Sequence, residues 1–303
     1  MVHPTAIISD SATIGNDVTI GPYCVIGDNV TVGDRCELKS HVVIDGITEI
    51  GEDNVFYPFS AIGQQTQDLK FAGDPTFLKI GNRNTFRENT TIHRSTSTET
   101  PTTIGDDNNF LAYSHVAHDC VVGSHCIFSN NATIGGHVLV EDYVIISGLS
   151  GVHQFCRLGA HSLIGGCTKV VQDVPPFTIV DGSPAAVRSI NQVGLQRRGF
   201  TDQDIAYLRR AYKRIFLKKN TNLAVSLAEL KIADSANNRH VQHLIKFLDT
   251  AERGVIASHP WTSTHSNKRS KHSLPPNAKN SPSTSPTSSS SMTASTSKLC
   301  ASV

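Results

Sequence analysis

From Ile8 onward an aliphatic or aromatic residue returns at every sixth position: Ile14, Ile20, Ile26, Val32, Leu38, Ile44, Ile50, Phe56 and Ile62. The register resumes at Ile80, Phe86 and Ile92. It resumes again from Ile104 through Phe110, Val116, Val122, Phe128, Ile134, Val140, Ile146, Val152, Leu158 and Ile164 to Val170. A six-residue unit is too short to bury its own apolar side chain, so such units stack, each coil covering the edge of its neighbour. The period therefore predicts a mainly β architecture, a parallel β-helix over residues 2 to about 173, with the anchors filling its interior. Glycine follows many anchors, among them Gly15, Gly21, Gly33, Gly105 and Gly123, where a tight turn calls for positive φ. Two residues before each anchor stands a small or β-branched side chain, such as Ala12, Val18, Val42, Ser114 or Ser162. Cys24, Cys36, Cys120, Cys126 and Cys156 fall in that same slot. Five of the seven cysteines thus read as small core residues in a reducing compartment, not as disulfide or zinc partners, and no CxxC pair occurs.

Composition narrows the function classes. A 38% hydrophobic content over 303 residues suffices for a sizeable core. A net charge of +1, from 27 basic and 26 acidic side chains, creates no global field toward nucleic acid or an anionic membrane. No stretch reaches the ~18 apolar residues that a membrane span needs, and Met1-Val2-His3-Pro4-Thr5 has no secretory character. The expectation is a soluble, cytoplasmic protein with no membrane span and no nucleic-acid partner.

Near Pro175-Pro176 the six-residue period stops. Thr201-Asp202-Gln203-Asp204 has the form of a capped helix start, followed by Ile205, Leu208, Tyr212, Ile215 and Phe216 at helical spacing. Further helices are predicted from Leu223 to Ile232 and through Val241, Leu244, Ile245 and Leu248, ending near Gly254. From about Pro260 the composition collapses to Ser, Thr, Pro and Asn, which cannot bury enough apolar area to fold. The expected organisation is a β-helix over 1–190, a C-terminal α-helical domain over 191–257 that caps the open end of the β-helix, and a disordered tail over 258–303.

The repeat, written here as Ala12-Thr13-Ile14-Gly15-Asn16-Asp17, resembles the hexapeptide-repeat acyltransferases. That resemblance implies a left-handed triangular prism with three hexapeptides per coil, usually assembled as a trimer. Residues 18 apart then lie one above another at about the ~4.8 Å spacing of adjacent strands. Eighteen residues beyond His118 is Gly136, and the next step is Gln154; His137 and His153 each lie one residue off that line, with His115 close by. A single surface histidine is ordinarily just solvated, but several stacked on one edge of an Ile, Val and Gly scaffold point to a site. Asp119 follows His118 directly, where a carboxylate can orient an imidazole base or merely make a turn contact. The two interruptions, after Ile62 and after Ile92, are loops excluded from the stacking and so serve something else. In the first, Lys70 is a candidate for a phosphate or a substrate hydroxyl, although loop lysines are commonly just exposed.

The resemblance sharpens on a set of strings: Gln67-Asp68-Leu69-Lys70, Thr91-Ile92-His93-Arg94, Ala117-His118-Asp119-Cys120, Asn130-Asn131-Ala132, Gly136-His137, Val152-His153-Gln154-Phe155, Gln172-Asp173-Val174-Pro175-Pro176 and Gly194-Leu195-Gln196-Arg197-Arg198-Gly199-Phe200. Together they are similar, over residues 2 to about 256, to the acyl-[acyl-carrier-protein]–UDP-N-acetylglucosamine O-acyltransferase family. The resemblance implies transfer of a 3-hydroxyacyl group from acyl carrier protein to UDP-N-acetylglucosamine by a homotrimer, as the first step of lipid A synthesis, with no metal and no bound cofactor. It makes His118 the general base, Asp119 its support and Gly136 N–H the oxyanion donor. Asp68 and Lys70 would contact sugar or acyl chain, and His115, His137, His153 and Gln154 would line the groove. Asn191 and Arg197 would reach the nucleotide, and Gly166 would set a longer acyl chain. Val193 and Pro184 depart from residues that relatives place beside the nucleotide and the acyl tail. Three other readings remain at this point: the sister N-acyltransferase, which carries an extra N-terminal domain; a zinc carbonic anhydrase, which needs three converging histidines; and a purely structural solenoid, which should show one uniform outer face.

Overall fold

The computed structural model describes residues 1–218 and 222–258. The expected disordered tail lies outside the described residues, apart from Ser258. Among the described residues short strands wind into three sheets of nine, eight and ten strands, parallel but for the last pair of the third, the faces of a left-handed triangular β-helix. The first face opens with Ile7–Ile8, the second with Thr13–Ile14 and the third with Thr19–Ile20. Each strand pairs with the one a coil away, as in Ile8 with Ile26, Ile14 with Val32 and Ile20 with Leu38. Most strands are only two residues long because one residue points inward as the anchor, the other points outward, and the chain then turns. The first interruption lengthens the pairing step from Ile62 to Ile92, and the second from Ile92 to Val116, after which the regular step returns with Ile104 paired to Val122.

The interior is layered by like residues. Phe56, Phe86, Phe110 and Phe128 stack up the third face with centroids 4.9, 4.9 and 4.7 Å apart. Beside them runs a buried amide ladder: Asn84 Nδ2 donates to Asn54 Oδ1 (3.0 Å) and to Gly105 O (2.9 Å), and Asn84 Oδ1 accepts from Asn108 N (2.9 Å). These buried amides are tolerable because the ladder satisfies them. The five slot cysteines are buried and unpaired. Cys24, Cys36 and Cys120 donate to the carbonyls of Lys39, Gly51 and Gly135, and burial pushes the Cys120 and Cys126 thiols up to about 12.

One expectation about the corners needs correction. The left-handed residue of most corners is not the glycine after the anchor but a side-chain-bearing residue two positions later, such as Asp17, Asn29, Asp53, Asp119 or His137, with φ between 55° and 59°. The glycine answers to a different demand. A Cβ on Gly33 would lie 2.6 Å from the backbone carbonyl of Gly51 in the next coil, so the coils approach too closely for any side chain there. Gly63, at φ 73°, is a true positive-φ glycine, and it sits where the first interruption leaves the prism.

An antiparallel pair, Thr178–Asp181 with Ala186–Ile190, ends the third face. Four α-helices follow: α1 (Gln192–Arg197), α2 (Asp202–Tyr212), α3 (Leu223–Lys231) and α4 (Arg239–Asp249). The start of α2 is a capping box between Thr201 and Asp204, as the sequence indicates; α1 carries no comparable sequence signal. The helices dock along the flank of the last coils. Arg157 donates to Asp173 Oδ2 (2.8 Å) and to Phe247 O (2.9 Å), and His243 Nε2 lies 2.7 Å from Glu141 Oε2. No helix among the described residues is long and apolar enough to cross a membrane.

Candidate active site

His118 stands two residues past the buried anchor Val116, where the chain leaves the first face and its side chain projects from the corner. Its Nδ1 lies 2.7 Å from Asp119 Oδ2. An ionised carboxylate only accepts, so the proton sits on Nδ1 and the Nε2 lone pair faces away. Asp119 is itself gripped: Oδ1 accepts from Thr96 N (3.0 Å) and Ser97 N (3.4 Å), and Oδ2 accepts from Thr96 Oγ1 (2.6 Å). Burial opposes ionisation of this carboxyl, but the hydrogen bonds from Thr96 and His118 outweigh it and hold Asp119 below its ordinary range. One coil above, a Cβ on Gly136 would lie 2.5 and 2.6 Å from His118 Cε1 and Nε2, so only glycine admits the imidazole in this pose. Among the described residues the Gly136 N–H donates to no protein group.

The neighbours assemble much as the 18-residue step implies. His137 stacks on Phe155 at 4.6 Å, meets His118 edge-on at 5.2 Å and places Nε2 3.5 Å from Asp119 Oδ2. The ligand atoms of His118, Asp119 and His137 lie within 4.8 Å of one another, a spacing that a transition metal accepts, although the shared carboxylate is already engaged by Thr96 and His118. Among the described residues the three histidines that a carbonic-anhydrase reading needs do not converge. Instead His115 turns its Nδ1 to Thr91 Oγ1 (2.7 Å). His153 is exposed, with Nδ1 3.1 Å from Gln154 O, and Gln154 is exposed beside it. His93 stands in one of the quoted strings but receives no role from the sequence: it is buried, meets His115 edge-on at 4.8 Å, and burial pushes it down to about 4. Its signal was obscured because the second interruption stretches the local step, so that Ile92 pairs with Val116 and counting in eighteens misses it.

The first interruption leaves the prism between the first and second faces, the same corner that carries His118, whereas Gly166, Asn191 and Arg197 lie elsewhere on this chain. Asp68 closes a turn in the first interruption by accepting from Lys70 N (2.9 Å), and both side chains are exposed. Gly166 lies at the corner between the third and first faces, not at the His118 corner, and a Cβ there would meet only Gly148 O at 3.5 Å. Asn191 is buried, donates to His161 O (2.9 Å) and caps α1 by accepting from Gly194 N (3.2 Å). His161 marks a third corner, between the second and third faces, and Arg197 is exposed on α1, the helix that Asn191 caps. One chain therefore does not bring Gly166, Asn191 or Arg197 to the edge that carries His118.

The chain matches the family model described as "Udp N-acetylglucosamine O-acyltransferase; Domain 2" over residues 173–256, and the bacterial transferase hexapeptide model over residues 11–46 and 101–136. An acyl-[acyl-carrier-protein]--UDP-N-acetylglucosamine O-acyltransferase from Verminephrobacter eiseniae (strain EF01-2) is 48% identical over 258 residues, which is 84% of this chain and 98% of its own. The solved UDP-N-acetylglucosamine O-acyltransferase from Moraxella catarrhalis RH4 is 40% identical with a TM-score of 0.81, covering 84% of this chain and 99% of that one. The UDP-N-acetylglucosamine acyltransferase of Francisella novicida is 35% identical with a TM-score of 0.81, covering 86% and 95%. With sequence and fold agreeing along nearly the whole length of these relatives, the chain belongs to the acyl-[acyl-carrier-protein]–UDP-N-acetylglucosamine O-acyltransferase family and is an acyltransferase.

Proposed function

We propose that this enzyme transfers an (R)-3-hydroxyacyl group from acyl carrier protein to the 3-hydroxyl of UDP-N-acetylglucosamine, the first step of lipid A biosynthesis, in the cytoplasm. The observation that carries the mechanism is the His118–Asp119 pair seated directly against Gly136. His118 Nε2 takes the proton of the sugar 3-hydroxyl as its oxygen attacks the thioester carbonyl carbon. Asp119 stabilises the imidazolium that forms, and Gly136 N–H donates to the oxyanion. Collapse breaks the C–S bond, and the imidazolium returns its proton to the departing thiolate. A positioned base contributes roughly 10²–10⁴ in rate, and one oxyanion donor on the order of 3 kcal/mol. Metal and cofactor have no part in these steps.

His115, His137, His153 and Gln154 line the groove beside the base, and Asp68 and Lys70 contact sugar or acyl chain from the first interruption. Arg197 meets the nucleotide, with Asn191 holding α1 in place for it, and the open space at Gly166 suits a longer acyl chain. Because these last residues sit on other corners, a complete site draws on two prisms, which favours the homotrimer. Tyr23, Phe59, Tyr113 and Leu149, more than half exposed on one corner, are apolar groups that a neighbour would cover. Residues 191–257 act as a helical domain that carries the nucleotide-facing groups. Purified protein incubated with UDP-N-acetylglucosamine and a panel of 3-hydroxyacyl carrier proteins should form an O-acylated sugar nucleotide. No product with any carrier protein, or equal turnover with coenzyme A thioesters, overturns the reading.

A further inference from the structure

The second interruption of the six-residue repeat has no part in the reaction outlined above, yet it is closely braced. Ser95 is fully buried; its N donates to Phe77 O (3.1 Å), while its Oγ accepts from Phe77 N (3.2 Å) and donates to Ser97 O (2.9 Å). Ser97 Oγ in turn accepts from Glu99 N (3.1 Å) and Thr100 N (3.2 Å), closing a turn. Between these two anchors Thr96 has little freedom, and both of its donors are aimed at one carboxylate. Its N–H donates to Asp119 Oδ1 (3.0 Å) and its hydroxyl donates to Asp119 Oδ2 (2.6 Å). The far end of the loop contributes as well, since Thr102 Oγ1 accepts from Asp119 N (2.8 Å).

We infer that residues 94–101 form a clamp for Asp119 and that Thr96 is its positioning residue, fixing through Asp119 the orientation and tautomer of His118. The inference rests on the His118–Asp119 reading. Asp119 Oδ2 receives both Thr96 Oγ1 and His118 Nδ1, so the two bonds share one oxygen and set each other's direction. Without the hydroxyl the carboxylate keeps only the backbone donors on Oδ1, and Oδ2 is held less firmly. It then no longer presents a fixed lone pair to Nδ1–H, and the imidazole loses the contact that keeps Nε2 unprotonated and aimed at substrate. A repeat that turned its corner in the ordinary six residues would leave this carboxylate without its Thr96 donors, which accounts for the six extra residues at this level of the prism.

The test is a set of variants in the full-length protein. Thr96→Val should lower kcat about 10-fold or more, as expected for losing a hydrogen bond to a charged group, with KM for UDP-N-acetylglucosamine changed by less than about 3-fold. Thr96→Ser should restore most of the rate, and Thr96→Ala replaces the valine variant should that one not fold. Asp119→Asn should be slower still, and Thr96→Val combined with Asp119→Asn should be no slower than Asp119→Asn alone, because both act on one bond. Imidazole ¹⁵N spectra should show His118 shifting from a single Nδ1–H tautomer to a mixture in Thr96→Val. A Thr96→Val enzyme with near-normal kcat beside an impaired Asp119→Asn enzyme overturns the clamp alone, as does an additive double variant or a serine variant as slow as the valine one. An Asp119→Asn enzyme of normal rate overturns the base–carboxylate pair and the clamp with it.

Discussion

At the scale of single residues, two neighbouring histidines should separate cleanly. His118→Ala removes the proposed proton acceptor and should cut kcat by roughly 10²-fold or more while leaving the fold and UDP-N-acetylglucosamine binding nearly unchanged. His115→Ala, whose ring contacts Thr91 and His93, should cost less. Equal effects in a steady-state assay would remove His118 from its role. A second residue prediction concerns pH. His161 is stacked between Tyr143 (4.7 Å) and Phe177 (5.8 Å), its Nδ1 has no partner among the described residues, and burial, helped by Arg198 and His240, pushes it down to about 4. Its ordinary value is 6.5, so above that pH neither the folded nor the unfolded chain binds its proton. Below it the unfolded chain takes the proton first, and folding stability falls as pH drops from 6.5 toward about 4. His161→Phe keeps the stack and lacks the titration, so its Tm should fall less between pH 7 and pH 4.5 than that of the wild-type protein. Equal losses would mean that His161 does not carry this acid sensitivity.

At the scale of the element, the coil is held by the closeness of its neighbours. Gly33→Ala pushes a methyl into the Gly51 carbonyl at 2.6 Å and should cost ~1–3 kcal/mol, seen as a lower Tm. Gly151→Ala, with nothing within 4 Å of the added carbon, is the matched control and should leave Tm unchanged. The amide ladder makes a sharper case. Asn84→Leu fits an apolar interior by hydropathy, yet it strips Asn108 N and Gly105 O of their partners inside the prism, each worth ~1–3 kcal/mol when orphaned. It should destabilise more than Gly33→Ala, and a neutral result in thermal unfolding would show that the ladder is dispensable. The period alone did not disclose this ladder. Asn54, Asn84 and Asn108 occupy slots where small or β-branched residues stand elsewhere, and their mutual bonding follows from coil-to-coil distance, not from local sequence.

At the scale of the whole molecule, the separation of His118 from Gly166, Asn191 and Arg197 on different corners makes a statement about assembly. If the site is shared between neighbouring prisms, a His118→Ala chain and an Arg197→Ala chain, each impaired alone, should regain activity when refolded together. In some of the mixed interfaces an intact His118 then faces an intact Arg197. Sedimentation should give a trimer for each variant and for the mixture. A fully active monomer, or mixtures no better than the mean of their parts, would put the entire site on one chain and require Arg197 to act differently.

The amino-acid sequence by itself determined the winding. A six-residue apolar period with small or β-branched residues two before most anchors can bury its side chains only by stacking, and the anchors from Ile20 to Val170 are accordingly interior. It also brought His118, Gly136 and His137 together, because a constant step turns residue number into height along the prism. Where the step was not constant, sequence reasoning lost its ruler: His93 received no role, and the purpose of residues 94–101 stayed hidden until Thr96 was seen to grip Asp119. The glycines show the same division. Their positions were plain in the sequence, but the choice between positive φ and close approach depends on what the adjacent coil places within 3 Å, and only the tertiary structure supplies that distance.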